Sequence, residues 1–302
     1  MRATRKRKQP HPQPSAKPPR TTVTSGGAAA KSPFPDHHRP TPEECLSVRD
    51  DLLALHGFPH EFIKYRDLRL KTKSQLNDSG ASEPLMNDGY IDERETVLDG
   101  LVRTILSQNT TELNSERAFA SLKSAFPTWQ DEKTLLVLAA ESKCIEDAIR
   151  CGGLAPTKSS CIKNVLSHLL EKKGKLCMEY LRELSITEVK AELSLLKGIG
   201  PKTVSCVLMF HLQHDDFPVD THVFQIAKTM EWVPADADVK STYLHLNHWI
   251  PSELKFDLNC LLYTHGKVCR RCSFRNLGGK KNKEIEDGAC PLLAYSRHCT
   301  VE

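Results

Sequence analysis

The stretch Leu196-Lys197-Gly198-Ile199-Gly200-Pro201-Lys202-Thr203 constrains this chain more than any other. Upstream of it, Ser185-Ile186-Thr187-Glu188 has the spacing of a capping box, and Leu184 and Val189 are placed to pack across the first turn, so a helix is expected to start at Ile186. Gly198 must end that helix, and Pro201 falls at about the first position of the next, where its missing N–H costs nothing. The stretch therefore spells two helices joined by a tight turn. Such a turn presents the backbone N–H groups of Gly198, Ile199 and Gly200 beside a helix N-terminus, a site suited to a phosphate, and glycines let a nucleic-acid backbone come close. An ordinary glycine-capped turn has the same local sequence, and for the turn alone the two readings weigh equally.

The rest of the chain agrees with a helical reading. Leu46, Val48, Leu52, Leu53 and Leu55 suggest a first helix, and Val97, Leu98, Leu101, Val102, Ile105 and Leu106 recur at helical spacing. Similar runs cover 114–124, 133–150, 158–172, 187–196, 202–212, 222–231 and 253–265, while 68–92 is polar and expected to be a loop. No convincing alternating strand occurs, so the fold class is all-α, and no repeat of roughly 20–50 residues points to a solenoid.

Composition narrows the class further. With 302 residues the chain can bury a substantial core, and no apolar run approaches the ~20 residues of a spanning helix, so a soluble protein is expected. Eleven cysteines, seven scattered and four gathered between 269 and 299, fit a reducing compartment with one ligand cluster better than a disulfide framework. Residues 1–40 hold nine Lys/Arg, one acid and eight of the eighteen prolines, which predicts a disordered basic tail. Within it Arg5-Lys6-Arg7-Lys8 reads as a nuclear import address, with a mitochondrial or plastid transit peptide as the alternative. The net charge of +4 leaves the folded part slightly acidic, so nucleic-acid binding there must be local. One such patch, Lys267 to Lys283, contains seven Lys/Arg and no acid, Lys267, Arg270 and Arg271 among them.

Eighteen residues beyond Lys202, after a Pro-containing loop, comes Val219-Asp220-Thr221-His222-Val223-Phe224. Here the chain resembles the helix-hairpin-helix (HhH-GPD) DNA glycosylases, which have a Gly/Pro-rich loop and an aspartate, and most closely their endonuclease III branch. The likeness runs from about Val97 to Cys299. It is carried by the hairpin, by the spacing to Val219-Asp220, and by His265-Gly266-Lys267 before a cysteine cluster, in that order. The resemblance implies a base-excision enzyme acting as a monomer on double-stranded DNA with a damaged or modified base. Lys202 occupies the position of the amine that attacks C1′ and forms a Schiff base in the bifunctional branch, and both burial and the helix N-terminus would ease its deprotonation. Asp220 would stabilise the cationic sugar and help handle the lysine's proton. Without the resemblance Lys202 reads as a solvated or phosphate-binding lysine and Asp220 as an N-cap.

The same resemblance gives Leu106-Ser107-Gln108-Asn109-Thr110-Thr111 a part in base extrusion, with Asn109 as the plug that fills the emptied stack and Gln108 beside it. A polar loop whose Thr110 or Thr111 caps the next helix is the competing reading. Gly153 to Lys158 resembles another loop of the family that opens a helix, and His222 reads as structural.

Cys269, Cys272, Cys290 and Cys299, with gaps of two, seventeen and eight residues, suggest a metal site. The family's cluster is 4Fe-4S, but its spacing has a longer first gap and shorter later ones. Cys269 and Cys290 would sit in the first and third ligand neighbourhoods, with an insertion between Cys272 and Cys290. A 4Fe-4S cluster, zinc and free thiols all remain open at this point.

The expected architecture is two helical lobes. Residues 91–214 form one with the hairpin, 215–302 form the other with the cysteine cluster, and the helix within 41–90 joins the latter, with DNA in the groove between them. The expected activity is that of a bifunctional glycosylase and AP lyase. The alternatives are a relative of the demethylating glycosylases that excises 5-methylcytosine, and a non-catalytic DNA-binding protein that keeps the hairpin as a phosphate clamp.

Overall fold

The computed structural model describes residues 32–78, 95–129, 143–269, 271–272 and 290–295. Among these the chain is helical, with no strand. In order the helices are α1 (Pro42–His56), α2 (Ile63–Asp78), α3 (Val97–Leu106), α4 (Glu112–Ala125), α5 (Lys143–Ala148), α6 (Ala155–Lys173), α7 (Ile186–Ser194), α8 (Pro201–Cys206), α9 (Thr221–Thr229), α10 (Val239–Trp249) and α11 (Ser252–Val268). No helix among the described residues is long and apolar enough to cross a membrane.

Caps written in the sequence start most of these helices. Thr41, Ser185 and Asp238 each form a reciprocal capping box with the residue three positions on, Glu44, Glu188 and Ser241 respectively. Thr96, Thr111 and Asp220 accept the N–H of Asp99, Asn114 and Val223. Each such cap is worth about 1 kcal/mol and sets where its helix begins.

Two apolar cores organise the helices. The first is built from Val97 to Leu212, so α3 to α8 pack around one another. The second joins Cys45, Val48 and Leu52 of α1 to residues from Phe217 to Leu292, with α1 lying against α11. A smaller cluster of Met209, Phe256 and Cys260, flanked by Phe58, Phe62, Tyr65 and Phe210, ties the start of α2 to both. Fully burying a leucine or isoleucine side chain contributes about 1.5–3 kcal/mol, so the completely buried Leu52, Leu101, Ile105 and Ile162 are main contributors.

Four expectations need correction. Residues 32–40, expected to belong to the disordered basic tail, are ordered by packing: Phe34 lies against the second core and Arg39 donates to the Tyr295 carbonyl at 3.0 Å. Residues 68–78 are helical rather than loop, because α2 is held by polar anchors that apolar periodicity does not reveal. Arg66 pairs with Asp257, and the buried Arg69 donates to Asp215 at 2.5 Å and to the carbonyl of His214 at 2.8 Å. Helix α10 matches none of the apolar runs, since its buried face includes Thr242 and His245. Lastly, α8 ends at Cys206 and widens into a π-helical turn over Val207–His211. That turn abuts α3 so closely that a Cβ at Gly100 would stand 2.3 Å from the His211 ring. Arg5 to Lys8, most of the basic tail, Arg270, Ser273 to Ala289 and Cys299 lie outside the described residues.

Candidate functional site

The turn between α7 and α8 is strictly specified. Gly198 has φ +93°, and a Cβ there would stand 2.8 Å from Cys161 Sγ on α6, so backbone conformation and packing both demand glycine. The Ile199 N–H donates to the Leu196 carbonyl at 3.1 Å and its side chain is buried in the first core. This corrects the expectation of three presented amides, because one closes the turn. The amides of Gly198 and Gly200 have no acceptor among the described residues, and a Cβ at Gly200 would meet open space.

Directly behind the turn lies a cavity of about 640 Å3 between the two cores. Lys202 reaches it from the first turn of α8 and Asp220 from the N-cap of α9, and Cys206, Phe210, Tyr263, Phe62, Tyr65 and Arg103 complete much of its wall. Lys202 is exposed, so the burial expected for it is absent: as the second residue of α8 it stands at the cavity rim. Asp220 is half-buried; its Oδ1 accepts the Val223 N–H at 2.8 Å, while Oδ2 has no partner among the described residues. Cap and cavity wall are thus compatible roles for one carboxylate. Burial pushes the Cys206 thiol up to about 11, with the Lys202 ammonium opposing and the Asp220 carboxylate reinforcing the shift, which sets both charges beside it. Burial, with Asp220 adding to it, also pushes the Tyr263 phenol up to about 12. His222 stands edge-on to Tyr263, ring centroids 6.0 Å apart.

The α3–α4 loop borders the same region. Gln108 Nε2 donates to Thr203 Oγ1 at 3.1 Å, pinning the loop beside Lys202, and Asn109 is exposed at φ +49°. Thr111 caps α4, so that part of the competing reading describes the loop correctly. Leu154, at φ +52° and 52% exposed, stands at the tip of the loop before α6.

Of the basic residues, Lys267 stands 3.8 Å from the Glu112 carboxylate, spanning from α11 to the start of α4, and 4.8 Å from the Tyr263 ring centroid. Both partners are largely exposed, so the pair contributes little and a phosphate can compete for the ammonium. Arg271 is exposed.

At the end of α11, His265, Cys269, Cys272 and Cys290 are all buried, and their ligand atoms lie within 4.8 Å of one another. Cys272 and Cys290 Sγ are 3.7 Å apart, and His265 Nε2 is 3.3 Å from Cys290 Sγ. On its other side His265 Nδ1 meets His56 Nε2 of α1 at 3.0 Å.

Residues 102–252 match the family model described as HhH-GPD superfamily base excision DNA repair protein. This chain belongs to the HhH-GPD superfamily. The Arabidopsis thaliana protein named "Putative DNA glycosylase At3g47830" is 56% identical over 292 residues, covering 96% of this chain and 96% of its own length. "DNA glycosylase/AP lyase ROS1" of the same plant is 33% identical over 179 residues, which are 54% of this chain but 12% of that longer protein. Among solved structures, a non-covalent endonuclease III–DNA complex shares the fold at a TM-score of 0.54 and 21% identity, over 78% of this chain and 94% of the other.

Within this HhH-GPD chain, tertiary structure supplies site residues that motif reading missed. Phe62, Tyr65, Arg103 and Tyr263 come to the cavity from three helices and the turn before α2, and no short motif links them. His265 joins the thiols; its position four residues before Cys269 was a legible signal, since that places both at the same end of one helix. The donors are thiols and an imidazole, a set that suits zinc or an iron–sulfur cluster and not a hard cation.

Proposed function

We propose that this protein is a bifunctional DNA glycosylase and AP lyase, with Lys202 as nucleophile and Asp220 as the carboxylate that assists base departure. One observation carries the reading: Lys202 and Asp220, from the starts of two different helices, line one cavity of about 640 Å3. That volume falls in the range of small-ligand sites and accommodates an extruded nucleotide, and Phe62, Phe210 and Tyr263 offer aromatic faces for a flipped base. The groove beside the hairpin is where double-stranded DNA would run, its phosphates taken by the free amides of Gly198 and Gly200. Asn109 would fill the gap left by the base, and Gln108 would hold that loop to α8.

The chemistry divides between the two groups. As the C1′–N bond breaks, its electron pair leaves with the base and the sugar becomes cationic, which the Asp220 carboxylate stabilises. Lys202 Nζ in its neutral form adds to C1′ and gives up a proton to Asp220; the C1′–O4′ bond of the sugar ring then breaks, O4′ taking that proton while the nitrogen lone pair forms the protonated imine. Removal of a C2′ proton then expels the 3′ phosphate, which nicks the strand. The similarity to a relative named as a DNA glycosylase/AP lyase supports pairing the two activities in one protein.

Borohydride trapping tests the assignment. Wild-type protein and an abasic duplex should give a covalent adduct, and Lys202→Gln should give none while still binding the duplex. Equal adduct yields from both proteins would falsify the Lys202 role. A panel of oxidised pyrimidine, alkylated purine and 5-methylcytosine duplexes identifies the excised base. We also propose nuclear localisation, on Arg5 to Lys8 alone; alanine replacement of these four in a fluorescent fusion should abolish nuclear accumulation.

A further inference from the structure

A 4Fe-4S cluster carries each thiolate on a different iron, at the outer corners of a cube, so its ligand sulfurs stand further apart than those around a single ion. The donors in this chain are packed too tightly for that. All four lie within 4.8 Å of one another, and Cys272 and Cys290 Sγ are 3.7 Å apart. Two thiolates on one tetrahedral zinc, each at about 2.3 Å from the metal, stand about 3.8 Å from each other.

We propose that His265, Cys269, Cys272 and Cys290 hold one tetrahedral ion, zinc, whose coordination these four donors complete. The set comprises three thiolates and one imidazole, a closed coordination shell of the structural kind. Cys269 and Cys272 supply the two-residue spacing common in such sites. His265 is fully buried and stands one helical turn before Cys269, with Nε2 among the thiols.

A second, independent feature is the far side of that imidazole. His265 Nδ1 meets His56 Nε2 at 3.0 Å. With the proton on Nδ1 and donated to His56, the Nε2 lone pair is free for the metal, and the ring is held in that orientation by a partner outside the coordination shell. His56 is the last residue of α1, so one ion would fasten α1, the end of α11 and the turn Pro291–Tyr295 together. That turn already meets the N-terminal region, because Tyr295 donates to Asp51 at 2.5 Å and accepts from Arg39 at its carbonyl. The ion would thus serve structure, without entering the reaction.

The test is metal content after anaerobic purification from cells supplied with both iron and zinc. We expect colourless protein with about one zinc and no iron per chain, and tetrahedral d–d bands when cobalt(II) replaces the zinc. Cys299→Ser should keep the ion, and His265→Ala should lose it; if His265→Ala fails to fold, His265→Cys should retain one zinc and shift the cobalt bands towards all-sulfur ligation. Brown protein with about four irons, whose colour is lost in Cys299→Ser, would overturn the proposal. So would metal-free protein, or zinc that survives in His265→Ala and is lost in Cys299→Ser.

Discussion

The amine of Lys158 donates a 2.7 Å hydrogen bond to the carbonyl of Leu106, the last residue of α3, and a second of 2.9 Å to the carbonyl of Gly152. Lys158 is only 2% exposed. It therefore clamps the loop that carries Gln108 and Asn109 to the loop that carries Leu154. Burial without a facing carboxylate pulls its pKa down. Lys158→Met should leave both carbonyls unpaired and cost about 1–3 kcal/mol in chemical denaturation. If the clamp positions the plug, base excision should fall at a temperature where Lys158→Met is still folded, while borohydride trapping on a preformed abasic site should fall less. Equal loss in the two assays would leave only a role in stability.

The two hairpin glycines should behave differently. Gly198→Ala meets both a left-handed φ and Cys161 Sγ, so it should destabilise the fold by about 1–3 kcal/mol, and a second change of Cys161→Ala should recover the steric part and leave the conformational part. Gly200→Ala has room within the protein and an ordinary φ, and should leave the melting temperature within a degree or two. Its extra methyl would stand where a phosphate approaches, so the dissociation constant for duplex DNA should rise several-fold. Unchanged DNA affinity in Gly200→Ala would remove the hairpin from the DNA interface.

Asp220→Asn should preserve the α9 cap, since an amide oxygen still accepts the Val223 N–H. Base release should nevertheless fall by roughly 10²–10⁴, as expected when a catalytic proton-handling or charge-stabilising group is lost. DNA affinity should stay level or rise slightly, because a negative charge beside phosphates is removed. Parallel loss of binding, turnover and melting temperature would reduce Asp220 to a cap.

His211 predicts a pH dependence. Burial, reinforced by the charges of Lys64, Arg103 and Arg182, pushes its imidazole down to about 3. Tyr65 packs edge-on against the same ring. In the unfolded chain the ring takes up a proton near pH 6.5, so between that pH and about 3 the unfolded state binds more protons and stability falls as pH falls. The slope attributable to this one group approaches about 1.4 kcal/mol per pH unit below pH 6. Urea unfolding at pH 7 and pH 5 should show that His211→Gln, although less stable at pH 7, loses less between the two.

Much of the molecule was legible from local chemistry. The capping box at Ser185, Pro201 opening the next helix and Asp220 opening α9 depend on near neighbours along the chain, and each stands where its spacing said, whereas the helix expected to run to Gly198 already ends at Ser194 and Gly198 serves the turn instead. The HhH-GPD likeness is readable for the same reason, since its hairpin and its Val219-Asp220 segment are contiguous. What local chemistry left out is long-range. Helix α2 is fixed by Asp215 and Asp257, well over a hundred residues away, and α10 buries a threonine and a histidine that interrupt its apolar period. The cavity wall gathers Phe62, Arg103, Lys202, Asp220 and Tyr263 from distant parts of the chain, and the donor group includes a histidine whose orientation comes from α1. Burial belongs with these: Lys202 stands at a rim and Lys158 in a core, although both are lysines near the start of a helix behind a glycine turn. Residues within one turn of helix meet because 3.6-residue geometry brings them together. Which distant surfaces then face each other is set by packing two cores at once, and no stretch of sequence records that alone.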